Sequence, residues 1–310
     1  MKQGRSRSTR KNASKKLNRV LLVLSLAVTL CIALYVAVIN GAPAGSEHPA
    51  PTPAAVLKEE LHVMVIDADQ GDSILVTFGA DETMLIDAGE AKDAKAIKEE
   101  LDERGISQID ILVATHPHAD HIGGMAQIIN DYEIGYIYLP DMQSDSKTYQ
   151  NLRDTIDARK IPIIEAFAGV TFDLGEAACT IVSPAQDANK DANNESVMLF
   201  LDYLDTEFLF TGDVEEWAED QVLGAGYNID ADVLKVAHHG SYTGTSEAFL
   251  KAVSPDYAVI SCGKDNKYGH PHDETLDLLG RYSIETLRTD ISGDVLFKSD
   301  GYNIQIALGD

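Results

Sequence analysis

The sequence predicts an α/β sandwich, with two β-sheets packed face to face and helices on their outer faces. Three observations lead there. Strand-like and helix-like segments are mixed along residues 60–310, with strand hairpins at both ends. The run 109–114 is apolar except for Asp110, as a strand buried in a sheet is. Seven of the nine histidines fall in three clusters, each just after a strand-like run, where α/β sheets place their chemistry.

The elements follow in order. Residues 62–67, 73–78 and 83–87 read as short strands, parted by turn signals at 69–72 and 79–82. A charged amphipathic helix is expected over 91–104, then the strand 109–114 and a helix over 122–130. A strand at 134–139 and a helix at 146–159 come next. Strands are expected at 162–166, 179–183, 197–203 and 207–211. The helix 215–223 leads to a strand at 232–237, and a further α/β unit covers 246–253 and 257–261. A helix at 274–282 and strands near 285–287, 295–297 and 302–307 end the chain.

The first residues differ from the rest. Residues 1–19 hold eight of the 25 Lys and Arg and no acid. Residues 20–39 are almost wholly apolar, long enough to span a bilayer as a helix. Basic residues before that segment put the amino terminus inside and the remainder outside the cytoplasm. The chain is thus divided into a basic cytoplasmic tail (1–19), a transmembrane or signal-anchor helix (20–39), a linker (40–59) and a globular domain (60–310). Ala42-Pro43-Ala44 also resembles a signal-peptidase site, and cleavage there would release a secreted protein. The exported part keeps 17 basic residues against all 50 acidic ones, a formal charge of −33. Such a surface repels polyanions, so no stable binding of duplex DNA is expected. Cys179 and Cys262 are the exported cysteines; they either pair in an oxidising compartment or stay as buried thiols.

The chemistry concentrates in Thr115 to Gly124, where His116, His118, Asp120 and His121 sit on a strand-to-helix turn. Imidazole and carboxylate are the ligands of zinc-like ions, and the spacing suits two neighbouring half-sites. The other clusters are His238-His239 and His270-Pro-His272. Asp213, in a Thr-Gly-Asp turn before a helix, is placed either to bridge two ions or to cap that helix.

These residues resemble the metallo-β-lactamase superfamily, an αββα four-layer sandwich of metal-dependent hydrolases, and within it the exported hydrolase domain of the ComEC group of competence proteins. The matching words are Asp-Gln-Gly-Asp-Ser-Ile-Leu at 69–75, Leu-Ile-Asp-Ala-Gly at 85–89, the His116–His121 motif, Asn193-Asn194-Glu-Ser196, Thr-Gly-Asp at 211–213, Leu-Lys-Val-Ala-His-His-Gly-Ser at 234–241 and Gly-His-Pro-His at 269–272. The resemblance implies a first metal on His116 and His118, a second on Asp120, His121 and His239, and Asp213 between them. Zinc is the implied ion, with manganese open to a mixed site. No histidine occurs from 122 to 237, so the first site lacks the third imidazole usual in the superfamily. Asn194 stands at the matching place, either near the metal or in a hairpin turn. Asp87 resembles the early Asp that buttresses the metal turn.

Two ions roughly 3.5–4 Å apart lower the pKa of a shared water and clamp phosphoryl oxygens, so a phosphodiester is the expected substrate. Asp120 would orient the attacking oxygen, and His270 would serve the leaving group. His238 and His272 are expected beside the ligands or as caps. Ser241 either meets the substrate or caps the next helix. Lys235 either pairs with an acid under the site or points outward, and Asp69 and Asp72 belong to the pocket. The substrate is nucleic acid or a cell-envelope phosphoester such as choline-decorated teichoic acid. The alternatives are hydrolysis of a β-lactam or another ester, and a non-catalytic metal-binding surface protein.

Overall fold

The computed structural model describes residues 59–186 and 191–309. The expected tail and membrane helix lie outside the described residues, as does the linker up to residue 58. Among the described residues no helix is long and apolar enough to cross a membrane.

An antiparallel hairpin set opens the domain: β1 (Leu61–Val65), β2 (Ile74–Phe78) and β3 (Glu82–Ile86). Helix α1 (Ala94–Glu103) crosses to β4 (Gln108–Val113), which runs parallel to β3. The expected helix over 122–130 is two pieces, α2 (Ala119–Ile122) and α3 (Met125–Asp131). Its backbone is diverted at the break: His121 O accepts from Ala88 N–H (2.7 Å) and Gly124 N–H donates to Gly89 O (3.1 Å). Those bonds hold the metal turn to the turn after β3. Then come β5 (Glu133–Leu139), α4 (Lys147–Arg159) and β6 (Ile163–Glu165). Ser146 caps α4 through Tyr149 N–H, and Lys160 ends it in the left-handed region.

The second half repeats the plan, antiparallel strands first and parallel ones after. Strand β7 (Thr171–Leu174), which the apolar pattern does not reveal, pairs with β8 (Ala177–Ser183). Its mostly exposed, alternating face explains why it carries no hydrophobic run. Strands β9 (Met198–Tyr203) and β10 (Thr206–Phe210) form a hairpin. Beyond α5 (Glu216–Ala225), β11 (Val233–Lys235) is shorter than expected, because the chain turns at Val236 into a 3₁₀ segment, Ala237–Gly240. Helix α6 (Glu247–Val253), β12 (Tyr257–Ile260), α7 (Asp273–Arg281), β13 (Glu285–Arg288), the single turn α8 (Thr289–Ser292), β14 (Val295–Ser299) and β15 (Ile304–Leu308) complete it.

The sheets have the orders β15-β14-β1-β2-β3-β4-β5-β6 and β13-β12-β11-β10-β9-β8-β7. Period-two alternation decides what faces what. Ile111, Val113, Leu199, Leu201, Phe208 and Phe210 point between the sheets into one core. Leu112 on β4 points instead at α1, α3 and α4, and Phe200, Leu209 and Ile260 point at α5, α6 and α7. The result is helix, sheet, sheet, helix, with β4, β10, β11 and β12 buried on both faces. Each such Leu, Ile or Phe contributes about 1.5–3 kcal/mol on burial. Cys179 lies in the inter-sheet core and Cys262 under the second helix layer; both are free thiols, so the pairing alternative does not hold.

Candidate metal centre

Every clustered histidine sits just beyond the carboxyl end of a strand. His116 and His118 follow β4, Asp213 follows β10, His238 and His239 follow β11, and His270 follows β12 after a loop. Parallel strands aim these ends at one rim of the sandwich.

Asp213 lies at the middle of the convergence. Its Oδ1 is 3.2 Å from His121 Nε2, and its Oδ2 is 3.6 Å from both His116 Nε2 and His239 Nε2. Asp120 Oδ2 stands 3.6 Å from His239 Nε2. His118 Nδ1 lies 3.0 Å from His116 Nε2. His116, His121, His239 and Asp213 are buried, whereas His118 is exposed at the mouth. His121 groups both with His116 and Asp213 and with Asp120 and His239, Asp213 groups also with His239 and Asp72, and His118 joins none of these groups.

The residues fit metal ions on a local observation. Among the described residues, His121 Nε2, His239 Nε2 and Asp213 Oδ1 are buried without a hydrogen-bond partner and stand only in ion-pair contact with the acids and imidazoles of the cluster. Their outer nitrogens are spoken for: His121 Nδ1 meets Asp87 Oδ2 at 2.7 Å, and His239 Nδ1 meets Ser261 O at 3.2 Å. That leaves the Nε2 atoms aimed inward, free to bind an ion once their protons leave, as in ligands steered by carboxylate or carbonyl partners.

Charge follows from this packing. Burial works against a charged His121, but Asp213 and Asp87 outweigh it and hold its pKa well above the ordinary value in the metal-free chain. Burial likewise opposes His239, yet Asp213, Asp120 and Asp72 raise it to about 9. Burial pushes Asp120 up, and His239 and His121 bring it down to about 2. Burial and His121 drive His116 well below its ordinary value.

The supporting residues have distinct places. Asp87 accepts from Thr115 N–H (2.9 Å) and Thr115 Oγ1 (2.5 Å) as well as meeting His121, so it fixes the turn from below. Lys235, 1% exposed, points inward and pairs with Asp72 at 2.8 Å; Asp72 Oδ1 then lies 3.4 Å from His239 Nδ1. Gly71 lets that turn dock, since a Cβ there would sit 2.4 Å from Asp120 O, and Asp72 N–H donates to the same oxygen. Asp69 stands outside, exposed and paired with Lys92.

Asn194 turns away from the cluster. Its amide oxygen accepts from Glu215 N–H and Ala218 N–H (3.3 Å each), which caps α5. Ser196 Oγ accepts from Asp213 N–H at 3.2 Å instead. His238 Nδ1 lies 3.1 Å from Thr243 Oγ1, and its Nε2 is 3.8 Å from Asp213. His272 Nδ1 accepts from Tyr242 N–H at 3.1 Å, and Ser241 Oγ accepts from Thr243 N–H at 3.3 Å. Both therefore shape the loop after β11.

His270 stacks over His239, with ring centroids 6.1 Å apart and planes 23° from parallel. Its Nδ1 lies 3.4 Å from Gln70 Nε2, and Gln70 Oε1 accepts from Gly263 N–H at 3.2 Å. Gln70 escaped the sequence reading; a glutamine inside a Gly turn beside two acids was the available signal. Burial and the His239, His238 and His272 rings lower His270 to about 4, so it is neutral near pH 7.

Comparison with known proteins agrees with this picture. Residues 66–264 match the metallo-beta-lactamase superfamily model. The chain is 33% identical over 265 residues to ComE operon protein 3 of Bacillus subtilis, covering 78% of this chain and 33% of that protein. It is 34% identical over 247 residues to competence protein ComA of Neisseria gonorrhoeae, covering 79% and 33%. The chain thus spans about a third of the length of these relatives. Among solved structures, Igni18, a metallo hydrolase from Ignicoccus hospitalis, shares the fold with a TM-score of 0.51 at 14% identity, covering 77% of this chain and 98% of that one. Fold, rim histidines and sequence match together make this chain a member of the metallo-β-lactamase superfamily.

Proposed function

We propose that the protein is a phosphodiesterase that works with two divalent metal ions, zinc being the best match to its donors. The observation that carries this is the set of inward Nε2 and carboxylate atoms left without hydrogen-bond partners around Asp213. His116 and His118 would hold one ion, Asp120, His121 and His239 the other, with Asp213 shared. Bound there, the ions supply Lewis acidity and a water acidic enough to act near neutral pH.

The chain's own residues do the rest. Asp120, kept ionised by its imidazole neighbours, orients the attacking water by accepting its proton-bearing edge. His270 is neutral and takes a hydrogen bond at Nδ1 from Gln70, so it offers Nε2–H to the departing oxygen as a donor. Asp87 and Asp72 hold the imidazoles to their directions. The competence proteins it resembles favour a nucleotide-type diester over a β-lactam. The acidic surface favours short substrates over duplex. We place the domain outside the cytoplasm, tethered by residues 20–39, on the strength of their apolar run and the basic residues before it.

The test is metal analysis of the purified protein, then assay on a panel of phosphodiesters with His118→Ala as control. Because His118 is exposed at the mouth, the variant should keep its fold and lose activity by about 100-fold or more. A fully active His118→Ala, or a metal-loaded protein inert on every diester, would overturn the reading.

A further inference from the structure

Four rings touch in series and form a stepped shelf beside the metal centre, the two histidines standing at 86° to each other. Tyr242 lies 4.9 Å from His272, His272 lies 4.8 Å from His270, and His270 lies 5.6 Å from Tyr268, all between ring centroids. The inner ring, His270, is the one stacked over His239. The outer two are tyrosines, 66% and 51% exposed. A single exposed ring is ordinary on a protein surface, but these two each lie against a histidine beside the metal centre. Neither phenol is needed for the core, and each sits on a loop beside a ligand or its stacking partner.

The charge around the shelf is local and uneven. Lys264 and Lys267 lie in the loop that carries Tyr268, within a chain of net charge −25. Lys267 Nζ is 4.8 Å from the centre of the Tyr268 ring. An ammonium already over that ring repels a second cation, such as a choline head, and attracts an anionic ester. On the Tyr242 side the neighbouring groove, about 300 Å³, carries Glu216, Glu247 and Glu274 against Arg281, and of these acids Glu247 is also paired with Lys251. A polyphosphate chain continuing that way meets like charge.

We propose that Tyr242 and Tyr268 are specificity-determining residues that stack the planar groups on either side of the scissile phosphate, so that the site selects short nucleotide diesters. This rests on the phosphodiesterase reading above. Every nucleobase has a π-face, so such stacking tolerates any base and needs no hydrogen-bond code. Lys264 and Lys267 neutralise the ester on the Tyr268 side, and the acidic groove limits how far a strand can run past Tyr242.

The experiment uses the zinc-loaded full chain and two readouts. Calorimetry measures Kd for a hydrolysis-resistant dithymidine phosphorothioate, for bis(glycerol) phosphate, which has no ring, and for glycerophosphocholine. Kinetics measure KM and kcat for dithymidine phosphate and for bis(glycerol) phosphate. Loss of one base stack is worth about 5- to 100-fold in affinity. Tyr268→Ala should therefore cut the dithymidine preference over the ringless diester by that factor, through KM rather than kcat. Tyr242→Ala should do the same on its side, and Tyr268→Phe, which keeps the ring, should retain the wild-type ratio. Unchanged ratios in both alanine variants, or tighter binding of glycerophosphocholine than of the dinucleotide, would overturn the proposal. If no diester is hydrolysed, the phosphodiesterase reading fails, while the Kd ratios still decide the shelf.

Discussion

Replacing Lys235 by Met removes the cation of a buried ion pair while keeping the length of the side chain. Lys235 and Asp72 are 1% and 2% exposed and 2.8 Å apart, and Lys235 also donates to Val236 O at 3.1 Å. Removing one partner of such a pair typically costs about 3–5 kcal/mol, because a charge is left buried and uncompensated. Asp72 keeps one compensating neighbour, His239 Nδ1 at 3.4 Å, so the lower end, about 3 kcal/mol, is expected. For a domain of this size that corresponds to a fall in Tm of roughly 6–12 °C. The double variant Lys235→Met/Asp72→Asn restores neutrality, so its loss should be smaller than the sum of the single losses by about 2 kcal/mol or more. Urea unfolding of the four proteins in chelator gives the cycle. Additive losses, or a Lys235→Met effect below about 1 kcal/mol, would show that the pair carries no coupling and that the account of Asp72 under His239 is wrong.

Three further outcomes are expected. Asp87→Asn should weaken zinc binding about 10- to 100-fold by calorimetry, since it loosens His121 and the Thr115 turn together, and unchanged affinity would refute that support. Asn194→Ala should cost about 1 kcal/mol of stability as a lost helix cap while leaving metal stoichiometry intact, and loss of an ion would return Asn194 to the ligand set. Metal-free protein should lose stability from pH 6.5 to 9, because the folded pKa of His239, about 9, exceeds its ordinary 6.5 and the benefit of its charge disappears as that proton leaves. His116, His238 and His270 are shifted downward and act below that window. With zinc the trend reverses, since ligand imidazoles must be neutral; a metal-free melting curve that rises over this range would contradict the assignment.

The sequence carried the layered architecture and the rim chemistry because both rest on local signals. Apolar runs marked β4 and β9, and histidines following strands marked the rim. Partnership across the fold was less legible. That Lys235 points inward depends on Asp72, 163 positions earlier, being the acid beneath it. From sequence Asn194 reads equally as a near-metal amide or as a turn residue; its oxygen in fact answers the amides at the start of α5, which only the placed helix reveals. The split of the first-motif helix was hidden for a similar reason, since its diverted hydrogen bonds run to Ala88 and Gly89. Strand β7 lacked an apolar signal because little of it is buried.

His238, His239 and Gly240 adopt left-handed backbone one after another, at φ 50°, 55° and 80°. Only the glycine does so freely, and a Cβ on it would also strike Pro271 at 2.6 Å. Each imidazole-bearing residue pays about 1–2 kcal/mol for that conformation. Breeding this protein for heat tolerance in the absence of metal would therefore reward glycine at 238, whereas at 239 the imidazolium that answers Asp72 and Asp213 opposes the change. The survivors would be sturdier but stripped of a ring at the rim of the centre, so any such selection has to be run with metal present and catalysis as a gate.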